Sequence, residues 1–187
     1  IFRQRDMIYL LVVFFIALGI FNAVTTWIEQ IVRPRGFDIT QAGVTGALMM
    51  SGGILGAAIL PYFSDRLRKR KIFIVVTTIL AIPGLAGLAF AGGYGLLLAS
   101  SLAFGFFLMA GGPIGYQYSA EICYPAPEAT SQGLLLLAGQ VSGIVFVIGM
   151  DVLAAGSDSK TLAMIVFLVL MALNVFLTTR LRESTLV

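Results

Sequence analysis

Histidine is absent from this chain of 187 residues, and cysteine occurs once, at Cys123. A histidine-based metal centre, a Ser–His–Asp triad and an internal disulfide are therefore excluded. Charged residues make up only 11% of the sequence, against roughly 25% in an ordinary soluble domain. The net charge of +3 arises from cations at the ends of apolar segments, so it does not indicate a nucleic-acid partner. We expect no cofactor and no metal ion.

Apolar residues, in contrast, are abundant: 59% of the chain is hydrophobic and the mean hydropathy is +0.99. Six apolar segments cover residues 7–32, 41–64, 72–90, 96–121, 129–153 and 161–179. A bilayer core of ~30 Å needs about 20 residues of helix, and each segment has that length or nearly so. Barrel strands would alternate polar and apolar residues over about ten positions, which these segments do not. The sequence predicts an all-α membrane protein with six transmembrane helices.

Glycine, proline and polar residues mark the ends and interruptions of these segments. Asp38 or Thr40 is a candidate N-cap of the second segment. The other predicted features are an end of the first segment at 33–36, a kink at Pro83-Gly84, a turn at 91–95, an interruption of the fourth segment at 111–113, a loop at 122–128 and a turn at 156–159.

The topology is predicted from the charged loop between the second and third segments. Asp65 is followed there by five cations, Arg66, Arg68, Lys69, Arg70 and Lys71. A short basic loop between apolar segments of this length stays in the cytoplasm, which a charged run on a soluble protein would not explain. With both chain ends on that side, nine of the twelve lysines and arginines are cytoplasmic. We expect a multi-pass protein of the cell membrane. Because the first residue is Ile1 and not Met, the chain is expected to be cut from a longer one, with processing in the cell as the alternative.

The six segments divide into two sets of three. The second and fifth segments carry Gly52-x-x-x-Gly56 and Gly139-x-x-x-Gly143 at nearly the same depth. Glycines four apart let two helices approach closely in a membrane. The third and sixth segments are almost entirely apolar, as expected for helices that face lipid. The predicted repeats are residues 1–95 and 96–187, inverted relative to each other because each contains an odd number of crossings.

Three stretches resemble a known family. The loop Ser64–Lys71, SDRLRKRK, resembles the basic signature loop of the major facilitator superfamily, with Pro61 in place of its usual glycine. The stretch 115–146 resembles the feline leukaemia virus subgroup C receptor-like branch, which has a glutamate at the end of the tenth helix, a Tyr-Pro-x-Pro-Glu loop and a Ser-x-Gly-Leu-Leu helix start. The first segment, with GIFNAVTTWIEQIV, is similar to that branch's seventh helix.

The resemblance implies that the chain is the C-terminal six-helix half of a twelve-helix transporter. Its partners would be the N-terminal half, the lipid bilayer and a small-molecule substrate. The branch makes choline, ethanolamine, a vitamin or a haem-like compound conceivable substrates. Some relatives have a tyrosine that cages a cation where this chain has Asn22, which argues against choline.

Candidate substrate-binding residues lie on the first segment. Asn22, Thr26 and Glu29 are spaced i, i+4 and i+7, so they share one helical face. Polar groups facing lipid are costly, so this face is expected to point into a cavity or a partner helix. Glu29 is a candidate cation attractor or proton carrier, or alternatively an interfacial partner of Arg33. Trp27 is interpreted as an interfacial aromatic, with a cation-caging role as the alternative.

Further candidates lie on the fourth and fifth segments. Gln140 is near mid-depth between two close-packing glycines, and in the resembled branch a glutamine at this position contacts the substrate. The alternative is a hydrogen bond that only holds two helices together. Tyr116 and Gln117 are weaker candidates towards the cytoplasmic end. Asp151 is expected to be an exposed end cap and Cys123 an inert thiol.

A gate is predicted at the cytoplasmic face, formed by Asp65, Arg66, Arg70 and Glu121. Its ion pairs would latch the inner helix ends together when the cavity opens outward, or would alternatively serve only topology and solubility. The predicted function is secondary transport of a small polar or cationic metabolite by alternating access. The alternatives are half of a proton-coupled drug or metabolite antiporter, and a non-transporting receptor or assembly module. An enzyme is not expected, because no pair of acidic residues faces each other within the membrane.

Overall fold

The computed structural model describes residues 4–154 and 160–183 and contains six α-helices there. They are α1 (Arg5–Val32), α2 (Ile39–Leu67), α3 (Arg70–Phe90), α4 (Tyr94–Cys123), α5 (Glu128–Leu153) and α6 (Thr161–Thr179), with a 3-10 turn at Arg33–Arg35. All six are long and apolar enough to cross a membrane. The predicted all-α architecture with six spans is therefore confirmed, whereas Arg3 and the predicted turn at 156–159 lie outside the described residues.

The start of α2 is fixed by its first-turn hydrogen bonds. The backbone N–H of Gln41 donates to Asp38 Oδ1 at 2.7 Å, and the backbone N–H of Asp38 donates to Gln41 Oε1 at 3.0 Å. This reciprocal pair satisfies two amide groups that the helix itself leaves without partners. Asp38, one of the two predicted caps, is therefore the N-cap residue.

The predicted interruption of the fourth segment is wrong. Helix α4 is continuous through Gly111, Gly112 and Pro113, and Tyr94 and Gly95, predicted to lie in a turn, form its start. Pro61 and Pro83 likewise lie inside α2 and α3. A helix is the way for a single segment to satisfy its backbone groups in hydrocarbon, so proline and glycine are tolerated there at positions that end a helix in water.

Helices α2 and α4 approach each other closely at the predicted glycines. A Cβ atom added to Gly56 would lie within 1.9 Å of the Phe106 carbonyl oxygen, and one added to Gly52 within 2.5 Å of the Leu102 oxygen. Gly105 on α4 faces the Met49 carbonyl in the same way. No side chain fits at these positions unless the two backbones separate, so the close approach predicted for Gly52-x-x-x-Gly56 is confirmed.

Helix α5 packs on α1 through the second glycine pair. Gly139 lies against Leu18, and Gly143 lies against Asn22. The second helix of each predicted repeat thus packs on the first helix of the other, as expected for two interlocked triplets. The repeat boundaries themselves stay a prediction.

The polar residues in the interior of the apolar helices α3 and α6, Thr77, Thr78 and Asn174, are buried. Thr77 and Thr78 both donate their hydroxyls to the Ile74 carbonyl, which satisfies them within their own helix. Asn174 on α6 is fully buried and donates its amide to the Val13 carbonyl of α1 at 3.3 Å. The Asn174 amide thus adds one polar contact to the apolar packing of α6 on α1.

Alternating helix direction gives the bundle two ends. The Arg70 end carries the α2–α3 loop and the last residues of α4 and α6, and the Lys160 end carries the last residues of α1, α3 and α5. At the Lys160 end, Arg35 donates to the Leu88 carbonyl at 2.6 Å and the Ala91 carbonyl at 3.1 Å. Arg35 therefore caps the C-terminus of α3, where free carbonyls attract a cation.

Candidate functional site

An open depression lies between α1 and α5. Its volume is about 390 Å³, and the residues lining it are Asn22, Thr26, Gln140, Gly143, Ile144, Val147 and Ile148. Three of the predicted substrate-binding residues, Asn22, Thr26 and Gln140, are thus brought together on one surface. Helix periodicity places Asn22 and Thr26 on one face of α1, and the glycine contact brings the matching face of α5 against it.

The Asn22 side chain fills the space that the missing side chain of Gly143 leaves free. A Cβ atom on Gly143 would lie 2.7 Å from Asn22 Nδ2 and 3.3 Å from its Cγ. The position of the Asn22 amide is therefore set by α5 as well as by α1. The spacing of Gly143 predicts a helix-packing residue. The structure shows in addition that Gly143 contacts the amide of Asn22, a candidate ligand-binding residue.

The amides of the depression are unpaired. Neither the Asn22 nor the Gln140 side chain has a hydrogen-bond partner among the described residues. Thr26, by contrast, donates its hydroxyl to the Asn22 carbonyl at 2.7 Å. Gln140 is exposed and Asn22 is partly exposed. An unpaired amide at membrane depth is costly, so both groups require a partner that the described chain does not supply.

Glu29 lies away from the depression, towards the Lys160 end. Its carboxylate is 3.9 Å from Arg33 Nη1, one turn further on, and its side chain is 45% exposed. This is the geometry of the alternative interpretation, an interfacial ion pair. It gives no support to Glu29 as a buried proton carrier.

Tyr116 and Gln117 also lie outside the depression. The ring of Tyr116 packs against Phe14 with 5.3 Å between ring centroids, and Gln117 is exposed. Both follow the middle of α4 towards the Arg70 end. The structure therefore does not bring them to Asn22 and Gln140, and their contact with a substrate stays a prediction.

Three of the four predicted gate residues, Asp65, Arg70 and Glu121, form one network centred on Arg70. Its guanidinium, with a side chain only 7% exposed, donates to Asp65 and, from Nε at 3.1 Å, to Glu121. The network joins the end of α2, the start of α3 and the end of α4. Arg66 is exposed and takes no part in the ion pairs among the described residues. Ser64, within 3.5 Å of Arg70 Nη1, is an additional member that sequence reasoning missed.

One carboxylate oxygen of this network is left without a partner. Glu121 Oε1 accepts from Arg70, whereas Oε2 is buried and has no hydrogen-bond partner among the described residues. The Glu121 side chain is 10% exposed. The network can therefore accept one more hydrogen bond at the Arg70 end.

The chain after α6 also docks at the Arg70 end, which no sequence pattern indicated. Leu181 is buried, and Tyr118 donates its hydroxyl to the Arg182 carbonyl at 2.6 Å. The Glu183 carboxylate accepts from the backbone N–H of Lys71 at 3.0 Å, at the N-terminus of α3. These contacts join residues far apart in sequence, so helical periodicity cannot reveal them.

Within residues 4–154 and 160–183, no group of three or more acidic, histidine or cysteine side chains could hold a metal ion. Cys123 is a buried free thiol. The described side chains that line the depression carry amide, hydroxyl and aliphatic groups.

Comparison with solved structures assigns the fold. The chain superimposes on the D-xylose-proton symporter with a TM-score of 0.60 over 96% of this chain and 48% of the symporter, at 18% sequence identity. At this identity the match shows a shared fold. The six helices thus share the fold of part of that symporter.

Residues 1–147 match the family model of the Major Facilitator Superfamily. The chain belongs to this superfamily. It is 34% identical to solute carrier family 49 member A3 of Xenopus tropicalis over 78% of this chain, and 28% identical to the choline/ethanolamine transporter FLVCR1 of Felis catus over 86% of it. The resemblance to the feline leukaemia virus subgroup C receptor-like branch is therefore confirmed.

The extent of these matches differs between relatives. This chain spans only 31% of the Xenopus protein and 29% of the feline protein. It also matches an uncharacterised protein of Archaeoglobus fulgidus at 29% identity over 87% of this chain, and there it spans 75% of the relative. The similarity therefore extends both to transporters about three times as long and to a protein of comparable size.

Proposed function

We propose that the protein is a secondary transporter of a small polar or cationic organic metabolite, and that this chain is the C-terminal half. The observation that carries the proposal is the convergence of Asn22, Thr26 and Gln140 on one open depression of about 390 Å³. The two unpaired amides need hydrogen-bond partners at membrane depth. A solute and the facing half of the transporter would supply them.

The facing wall is proposed to be an N-terminal six-helix half. The chain covers 48% of the symporter fold and about a third of its longer relatives, which leaves room for a second half in each. Rocking of the two halves would expose the depression to each side of the membrane in turn. The basic α2–α3 loop supports a cytoplasmic location of the Arg70 end and of both chain ends, in the cell membrane.

The wall formed by this chain is suited to the uncharged part of a solute. Amide groups of Asn22 and Gln140 can bind a hydroxyl, and Ile144, Val147 and Ile148 can contact its carbon chain. Choline and ethanolamine, which name several relatives, each combine a hydroxyl with a cationic nitrogen. The described residues that line the depression include no charged group and no aromatic ring.

The residues that this chain contributes to the depression favour facilitated diffusion over proton-coupled transport. Glu29, the one carboxylate of the candidate face, is half-exposed and paired with Arg33 instead of lining the depression. The proton-coupled antiporter alternative would therefore need a titrating group from the other half.

The Arg70 network is proposed to act as the cytoplasmic gate. Arg70 holds α2, α3 and α4 together through Asp65 and Glu121, and the unpaired Glu121 Oε2 can accept a donor from the facing half. Gaining that bond in one conformation only would bias the equilibrium by about 1–3 kcal/mol. The gate is then a charge network within one half that is completed by the other.

Uptake by the full-length protein in liposomes tests the site directly. Gln140→Ala is expected to lower the initial uptake rate or raise KM by about tenfold, since a hydrogen bond to a solute is worth about 1–1.5 kcal/mol. Gln132→Ala is the matched control, because Gln132 lies on the same helix outside the depression. If both variants transport like the wild type, Gln140 is not part of the site.

A non-transporting or self-assembling module is the second candidate, favoured by the archaeal relative of comparable length. In that case the second wall would come from another copy of the chain. Native mass spectrometry of the purified protein distinguishes the two: a twelve-helix polypeptide supports the first proposal, and a complex of two six-helix copies supports the second.

A further inference from the structure

A buried ammonium group lies at the Lys160 end of the helix pair that forms the depression. Lys160 Nζ is 4.0 Å from the centroid of the Trp27 ring and 3.1 Å from Asp151 Oδ1. The Lys160 side chain is only 6% exposed. An aromatic face and a carboxylate together are the groups that recognise an ammonium ion in proteins.

Trp27 is positioned by a contact that does not involve Lys160, and Asp151 is positioned by its place on α5. Trp27 on α1 donates its indole N–H to the Val147 carbonyl of α5 at 3.1 Å, which fixes the plane of the ring. Asp151 lies one turn beyond Val147 on α5, and its side chain is 64% exposed. The site is therefore carried by α1 and α5, and its carboxylate side is accessible from water.

This pair of groups adjoins the candidate substrate depression. Val147 lines the depression and also holds Trp27, and Thr26 of the depression directly precedes Trp27. Among the residues that the structure describes, none that lines the depression is charged or aromatic. On this wall, a cationic solute that enters from the Lys160 end meets Trp27 and Asp151 before it reaches Asn22 and Gln140.

We propose that Trp27 and Asp151 form an ammonium-binding site at the mouth of the depression. Lys160 fills this site in this conformation. The primary ammonium group of an entering solute competes with Lys160 for the site. Because Lys160 is tethered, its effective concentration at the site is in the millimolar range or above, which keeps solute binding weak and reversible. The idea that the ligand is a transported solute rests on the proposed function, whereas ammonium binding itself does not.

The site is tested by titrating the full-length protein in lipid nanodiscs with ethylammonium chloride, against sodium chloride at matched ionic strength. Lys160→Met removes the internal ammonium and keeps an apolar stem of similar length. This variant is expected to show a saturable rise in its thermal unfolding midpoint and a saturable change in Trp27 fluorescence with ethylammonium alone. The wild type is expected to respond at concentrations at least about tenfold higher, because Lys160 competes.

Matched variants decide whether the response belongs to this site. Adding Asp151→Asn or Trp27→Leu to Lys160→Met should abolish the rise in the unfolding midpoint with ethylammonium. Adding Glu29→Gln should leave this rise unchanged, because Glu29 is a carboxylate at the Lys160 end that lies outside the proposed site. Lys160→Gln replaces Lys160→Met if the latter does not fold. An equal response in wild type and variant, a response that survives loss of Trp27 and Asp151, or no response from the wild type at any concentration would overturn the proposal. Uptake enters neither readout, so failure here leaves the transport proposal intact.

Discussion

Unpaired amides are the most informative single groups in this protein. Asn22 and Gln140 face the same depression from different helices, and neither finds a partner within the described chain. Other polar side chains in the bundle, such as Thr77 and Thr78, donate to a backbone carbonyl. The contrast distinguishes residues that hold the fold from residues that are available to a ligand.

Gly143→Ala is predicted to impair transport through Asn22. The added methyl group would lie 2.7 Å from the Asn22 amide nitrogen, so the amide must turn away while the rest of the helix contact is kept. We expect KM to rise several-fold with little change in the thermal unfolding midpoint. Gly149→Ala on the same helix has nothing within 4 Å of the new atom, so its uptake kinetics should match the wild type. Equal kinetics in both variants would show that the Asn22 position does not matter.

Helix contacts at the glycine pairs determine how the six elements assemble. In lipid there is no hydrophobic driving force between helices, so close packing and hydrogen bonds hold them together. Helix α2 packs on α4 through Gly52, Gly56 and Gly105, and α5 packs on α1 through Gly139 and Gly143. The depression exists where the second of these contacts brings Gln140 beside Asn22.

Gly56→Ala is predicted to destabilise the bundle. Its Cβ would lie 1.9 Å from the Phe106 carbonyl oxygen, which belongs to the backbone and cannot rotate away. Overpacking of this kind costs about 1–3 kcal/mol, so the thermal unfolding midpoint should fall. Gly43→Ala on α2 meets nothing within 4 Å and serves as the control. An unchanged midpoint for Gly56→Ala would contradict the tight α2–α4 contact.

Arg70→Gln is predicted to weaken the junction of α2, α3 and α4. Removal of the guanidinium leaves Glu121 buried with neither oxygen paired, at a cost of about 1–3 kcal/mol. Arg66→Gln changes an exposed arginine of the same loop and should have little effect. The unfolding midpoint should change for Arg70→Gln and not for Arg66→Gln. The same is expected of the populations of the two conformations that open to either side of the membrane, measured by cross-linking. Equal unfolding midpoints and equal populations in the two variants would show that the Arg70 network is not a gate.

Local sequence signals predict the elements well, and among the long-range contacts they indicate those at the glycine pairs and those among the gate residues Asp65, Arg70 and Glu121. The six spans, the Asp38 cap and the shared face of Asn22 and Thr26 follow from hydropathy, capping chemistry and helical periodicity. Glycine and proline at 111–113 predict a break of α4, because they end helices in water. In lipid the helix continues through them, since a helix satisfies the backbone hydrogen bonds that no water can satisfy there. Contacts such as Trp27 to Val147, or Tyr118 to Arg182, join residues distant in sequence and leave no local pattern.

At the scale of the whole molecule, the contact between α1 and α5 places the depression on a face that is open in this chain. The fold match covers 96% of the chain but 48% of the symporter, and the proposed function places a second wall opposite Asn22 and Gln140. The Arg70 network and the Lys160 contacts lie at opposite ends of the same bundle. Alternating access would require the depression to communicate with one end at a time.

Cysteine accessibility at position 140 tests this account most directly. In a Cys123→Ala background of the full-length protein, Gln140→Cys is to be labelled with a membrane-impermeant thiol reagent from each side of the membrane in turn. We predict labelling from both sides, with rates that a transported solute lowers, whereas Val145→Cys, exposed on α5 but outside the depression, is labelled from neither. Labelling of the Gln140→Cys variant from neither side, or at the same rate as the Val145→Cys variant, would contradict a solute pathway along α1 and α5.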